Sequence, residues 1–128
     1  MTKWTPALST GVPLLDEHHM KIFEWLTELE SAAAEERMLV GVYALVRLKH
    51  YTRDHFAAEE ALMKSAGYPD LAAHKAEHSV FRAKLGELQL RSMGQNISTD
   101  TVKLLRDWLI HHIAKTDMAY VPYLKKTK

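Results

Sequence analysis

The sequence predicts an all-α protein, an antiparallel up-down-up-down four-helix bundle with an N-terminal arm. Apolar residues recur in alternating steps of three and four through four long stretches. Strong helix breakers are few, five glycines and four prolines in 128 residues, and Gly67, Pro69 and Gly94 mark the breaks between stretches. Every connection is short, which makes sequential helices antiparallel neighbours. With 47% hydrophobic residues, the chain 1–128 is expected to form one domain with a real core.

Residues 1–12 read as the arm: Pro6, Ser9, Thr10 and Gly11 break any periodicity, while Trp4, Leu8 and Val12 offer apolar anchors. Pro13 suits a first helical turn, and Leu15, His19, Ile22, Leu26, Leu29 and Ala33 form the inward series of a helix over about 13–34. A second helix, about 38–66, has a loosely defined start between Arg37 and Gly41, and its inward series is Leu45, Leu48, Thr52, His55, Glu59 and Leu62. Gly67 supplies a left-handed cap and Pro69 forbids continuation. A third helix over about 70–93 carries Leu71, His74, His78, Phe81, Leu85 and Leu88 inward. After Gly94, Ser98 or Thr99 can cap a fourth over about 98–119, with Val102, Leu105, Leu109, His112 and Thr116 inward and Pro122 closing it.

Several functions are excluded early. There is no cysteine, hence no disulfide, iron–sulfur cluster or thiolate zinc site, and any metal must be held by imidazole and oxygen. Seventeen basic and sixteen acidic residues leave a formal charge of +1, with no basic stripe beyond the Lys125–Lys128 tail, which reads as a solvated end; nucleic acid is not expected as a partner. The first residues lack the apolar region of a signal peptide, and no run approaches a membrane span. The expected location is the cytoplasm, and the expected state a monomer.

The helical seams carry groups that a core does not ordinarily tolerate. A buried carboxylate costs several kcal/mol unless it is paired or metal-bound, so Glu59 demands a partner. Five of the eight histidines, His19, His55, His74, His78 and His112, fall on the seams. One such histidine would usually be a hydrogen-bonded core residue. Five at once are different, because at about 1.5 Å rise per residue all of them come out roughly 6 to 16 Å from the same end of the bundle. Asp117 lies five after His112, which in an ideal helix turns it about 140° away; a π-bulge or local loosening near Ile113–Thr116 is needed to bring both to that layer.

The set suits a pair of metal ions. Two octahedral irons offer twelve positions; five imidazoles, two bridging carboxylates and a bridging oxygen fill eleven, leaving one for a small ligand. A single zinc would leave most of these donors idle, and the paired Glu-x-x-His motifs of ferritin-like sites are absent.

Along nearly its whole length the sequence resembles the bacteriohemerythrins, non-heme di-iron oxygen-binding proteins. The matching pieces are Trp4, Gly11-Val12, Asp16-Glu17-His18-His19 with Ile22, His55-Phe56-Ala57-Ala58-Glu59-Glu60 with Met63, Tyr68-Pro69, His74-Lys75-Ala76-Glu77-His78, and Trp108-Leu109-Ile110-His111-His112-Ile113 with Asp117 and Tyr120. The resemblance implies two iron ions, oxo- or hydroxo-bridged: His74, His78 and His112 on one, His19 and His55 on the other, Glu59 and Asp117 bridging. It also implies that dioxygen binds at the two-histidine iron, and that Ile22, Phe56, Trp108, Leu109 and Ile113 form an apolar wall around the open position, which plain core packing would equally explain. One departure is visible: His18 stands where bacterial members usually have Gln. Asp16 reads as a helix first-turn residue, Glu60 as a solvated or outer group, and His50 and His111 as surface residues.

Reversible oxygen storage, transport or delivery is the expected function, with an oxygen-consuming enzyme as a possible recipient. The rivals are a di-iron enzyme acting on peroxide, nitric oxide or ferrous iron, and an oxygen or redox sensor module; no fused signalling domain is visible in these residues.

Overall fold

A computed structural model describes residues 4–126, and every regular element in that range is helical. A 3-10 turn at Pro6–Leu8 precedes α1 (Pro13–Ser31), α2 (Arg37–Ser65) and α3 (Leu71–Arg91). The fourth rod is composite: α4 (Ser98–Asp107), a π-helical segment (Trp108–Thr116) and α5 (Asp117–Ala119). A last helix, α6 (Val121–Lys126), follows a break at Tyr120. α2 packs against α1, α3 and α4, and α1 also against α4. With the short connections this makes the antiparallel four-helix bundle that the periodicity predicts. No helix among the described residues is long and apolar enough to cross a membrane.

Local chemistry sets the ends. α1 stops at Ser31 because Ala32 turns extended (ψ 139°), so Ala33, expected inward, is exposed beyond the helix. Gly67 takes φ +69°, a left-handed conformation that spares it a Cβ clash, and the chain reverses into α3. At the start of α4 the side chain of Asn96, rather than Ser98 or Thr99, accepts a hydrogen bond from the Ser98 N–H at 3.0 Å. Pro122 does not close the fourth rod; it lies in the first turn of α6, where its missing N–H costs nothing. Gly41 lets α2 approach the start of α4, since a Cβ there would sit 3.3 Å from both Ile97 Cδ1 and Ser98 Cα.

The arm packs on the bundle, with Leu8 buried in the main core and Trp4 against it. Asp16 ties it down by accepting hydrogen bonds from Ser9 Oγ (2.6 Å), the Thr10 N–H (2.7 Å) and Thr10 Oγ1 (2.9 Å). The side chains of the Lys125–Lys128 tail, expected to be solvated, lie outside the described residues.

The core comes in two apolar clusters. The larger holds Ile22, Leu26, Leu45, Leu48, Phe81 and Leu105 among others; the smaller gathers Leu15, Met63, Tyr68, Tyr120, Val121 and Leu124 at the end where α2 gives way to α3. A layer of buried polar side chains separates them along each rod: His19 follows Leu15, Glu59 precedes Met63, and Asp117 precedes Tyr120.

Candidate metal centre

α1 brings His19 to this layer, α2 brings His55 and Glu59, α3 brings His74 and His78, and the fourth rod brings His112 and Asp117. All seven side chains are at most 2% exposed. Spacings of four put His55 with Glu59, and His74 with His78, on single helix faces. His112 and Asp117 share a face for another reason. The π segment widens the fourth rod so that the Asp117 N–H bonds to the His112 carbonyl, five residues back. The bulge that the spacing demands is there, though it starts at Trp108 rather than near Ile113.

Each carboxylate divides its two oxygens between two groups of imidazoles. Glu59 Oε1 is 2.9 Å from His74 Nε2 and 2.9 Å from His78 Nε2, while Oε2 is 3.4 Å from His55 Nε2. Asp117 Oδ1 lies 3.0 Å from His74 Nε2 and 2.9 Å from His112 Nε2, and Oδ2 lies 3.1 Å from His19 Nε2. The donors therefore form two sets, Glu59, His74, His78, His112 and Asp117 on one side and His19, His55, Glu59 and Asp117 on the other, each able to surround a metal ion.

Electrostatics explains why the layer needs charge. Burial pushes both carboxylic acids toward the neutral form, yet the imidazoles outweigh it: Glu59 is held well below the usual carboxylate range, and Asp117 is lowered to about 2 despite the Glu59 charge beside it. His74 is raised to about 9 because Asp117 and Glu59 together overcome its desolvation, and His19 is raised by Asp117 in the same way. In His55 desolvation wins and the pKa falls.

Around this layer stands a ring of supporting groups. Tyr120 donates to Glu59 Oε2 at 2.7 Å, and burial with two nearby carboxylates pushes its phenol far up, so it stays a donor. Glu60 Oε2 is 2.7 Å from His78 Nδ1, and Glu77 Oε1 is 2.9 Å from His112 Nδ1 and accepts from Thr116 Oγ1 at 3.0 Å. His18 Nδ1 is 3.0 Å from His55 Nδ1, and Tyr51 stacks on the His55 ring at 4.7 Å. His50 and His111 are exposed.

The predicted wall residues Ile22, Phe56, Trp108, Leu109 and Ile113 are all buried in the larger apolar cluster. Phe56 stacks on His78 (3.7 Å, 2°) and Trp108 on His112 (3.7 Å, 7°), so these two rings cover imidazoles of the three-histidine set. Sequence reasoning did not assign Tyr51, Glu77 or Tyr120 a task at the layer. Tyr51 had a usable signal, lying four before His55 on the same face.

Residues 10–124 match the hemerythrin HHE cation-binding domain. The chain belongs to the hemerythrin family. Among hemerythrin relatives, it is 39% identical over 124 residues to a bacteriohemerythrin of Stenotrophomonas maltophilia, covering 95% of this chain and 80% of that one. A bacteriohemerythrin of Methylococcus capsulatus is 38% identical over 125 residues, covering 94% and 95%. A wild-type hemerythrin crystal structure superposes with a TM-score of 0.81 at 37% identity, covering 95% of this chain and 96% of that one.

The donor chemistry fits the metal centre of a hemerythrin fold. His19 Nε2, His55 Nε2, His78 Nε2, His112 Nε2 and both oxygens of Asp117 are buried, close to one another, and not aligned for hydrogen bonding. Buried lone pairs that converge in this way are what a metal ion would join. Two donors about 2.1 Å from one ion and at right angles sit about 3.0 Å apart, which matches most of the contacts above.

Proposed function

We propose that the chain binds dioxygen reversibly at a pair of iron ions, for oxygen storage, transport or delivery. In this reading His74, His78 and His112 would hold one ion and His19 and His55 the other, with Glu59 and Asp117 available to both. The observation that carries it is the inequality of the two donor sets. Five protein donors face one side and four the other, so a six-coordinate ion on the two-histidine side would keep one more position for a small ligand. Ferrous ions there would supply the electrons that reversible oxygen binding requires.

The protein's own part is to hold and to exclude. Glu59 and Asp117 bring two negative charges that offset part of the metal charge, and Tyr120 steadies Glu59 by donating to Oε2. Ile22, Leu109 and Ile113, members of the larger cluster, are at most 1% exposed and carry no side-chain proton donor, and the indole N–H of Trp108 in that cluster is taken up by the Tyr51 hydroxyl. A dry site slows proton delivery, which favours release of dioxygen over its reduction. These features support a carrier over an enzyme acting on peroxide, nitric oxide or ferrous iron.

Repeated oxygenation and evacuation of the iron-loaded protein tests the reading. A carrier returns to the same ferrous spectrum with two irons per chain after each cycle. Steady build-up of ferric protein, or consumption of an added co-substrate, would mark an enzyme.

A further inference from the structure

The buried imidazoles differ in what stands behind them. His78 and His112 each face a carboxylate through Nδ1, Glu60 at 2.7 Å and Glu77 at 2.9 Å. Among the described residues, His19 Nδ1 and His74 Nδ1 have no hydrogen-bond partner. His55 alone faces another imidazole, that of His18, across 3.0 Å between the two Nδ1 atoms with the ring planes at 64°. His18 is only partly buried and lines a surface cavity of about 230 Å³ with Lys21, Trp25, Arg47, His50 and Asp54.

Two Nδ1 atoms at hydrogen-bond distance can share only one proton. The His55 Nε2 atom points at Glu59 Oε2, into the layer, and must be bare to serve a metal. With a metal on His55 Nε2, the proton would sit on His55 Nδ1 and be donated to a bare His18 Nδ1, leaving His18 protonated on Nε2. We propose that His18 is a positioning residue: it fixes the tautomer and ring orientation of His55 and, as a neutral acceptor, makes the two-histidine side a weaker electron donor than the three-histidine side. Tyr51, stacked on the His55 ring, limits ring rotation, and its hydroxyl accepts from Trp108 Nε1 at 3.3 Å.

A carboxylate acceptor draws the Nδ1 proton away and makes the imidazole a stronger donor, whereas a neutral imidazole does so much less. Glu60 and Glu77 thus favour the higher oxidation state of the three-histidine ion. His18 leaves the other ion the easier one to keep reduced, on the side with fewer protein donors. The inference rests on the di-iron reading, and the test separates the two.

The zinc-loaded protein with ¹⁵N-labelled histidine reports the tautomer by NMR without any oxygen chemistry. His55 is expected as the Nδ1–H form, its ring proton exchanging at least 10-fold faster in His18→Ala and staying protected in His18→Gln, whose amide oxygen still accepts. In the iron-loaded protein, the reduction midpoint is expected to rise in His18→Ala, to stay near the parent in His18→Gln and to fall in His18→Glu, with two irons retained throughout. Equal midpoints for the Ala and Gln variants, or a His55 ring proton that exchanges no faster in His18→Ala, would overturn the positioning role while leaving the metal centre standing; a His55 ring protonated on Nε2 would overturn its place as a ligand as well. A parent chain that takes up no metal would overturn both.

Discussion

Two histidine–carboxylate pairs reach the same layer by different routes. His55 and Glu59 lie four apart on the regular helix α2, where four steps turn the chain about 400° and leave both groups on one face. His112 and Asp117 lie five apart, and only the π segment returns Asp117 inward. The first pair needs nothing beyond α-helical geometry. The second pair needs one extra residue per turn and its own support: Thr116 Oγ1 lies 3.1 Å from the His111 carbonyl and 3.0 Å from Glu77 Oε1, and its single proton is shared between the two acceptors.

The largest effect should come from breaking the regular pair. Glu59→Ala removes the carboxylate whose oxygens face both donor sets, and should lose both metal ions; metal analysis giving two irons per chain would contradict its spanning position. Inserting one alanine between Ala57 and Ala58 should do nearly as much, because it turns Glu59 about 100° off the face that His55 presents. The reciprocal change on the fourth rod should be far milder. Deleting the exposed Lys115 leaves His112 and Asp117 four apart, so a regular α-helix can serve them as α2 serves its own pair. The expected result is two metal ions retained and a stronger helical signal by circular dichroism; loss of metal would mean the π segment does more than re-aim Asp117.

That contrast also explains what the sequence made legible. Apolar steps of three and four outlined the rods, and spacings of four put His55, Glu59, His74 and His78 on their seams, because α-helical geometry is a fixed ruler. The bulge could be deduced only as a demand, since its extent depends on packing of Trp108 and Leu109 against the other rods. Groups that meet across rods, such as Glu77 with His112 or Tyr120 with Glu59, left no periodic trace. Asp16 was legible as a first-turn residue, but its grip on Ser9 and Thr10 depends on the arm folding back.

Without metal the layer should show its charge balance as a pH window. Asp117, lowered to about 2 in the fold, contributes stability above its ordinary value of 3.8 that is lost as pH falls toward 2. His74 has the opposite sign: raised to about 9, it contributes fully below its ordinary 6.5, and the contribution is lost as pH rises through 9. Urea midpoints of the iron-free chain should therefore be higher at pH 5.5 than at pH 3 or pH 9.5. A midpoint unchanged between pH 5.5 and pH 9.5 would mean that water, not protonated His74, balances the two carboxylates.

The smallest effect should fall on the contact that joins the two routes. Tyr120 closes the fourth rod just beyond Asp117, yet it donates to Glu59 on α2. It therefore holds the regular pair in register with the irregular one. Tyr120→Phe keeps the ring, which lies edge-on to Tyr68, and removes only the hydroxyl. Glu59 Oε2 then loses a charge-assisted bond in a buried site, which should cost about 1.5–3 kcal/mol in the iron-free chain, read from its urea midpoint. In the loaded protein the metal itself holds Glu59, so the same substitution should keep two irons and shift the midpoint much less. Equal shifts with and without metal would show that the phenol supports packing at the α6 end rather than the carboxylate.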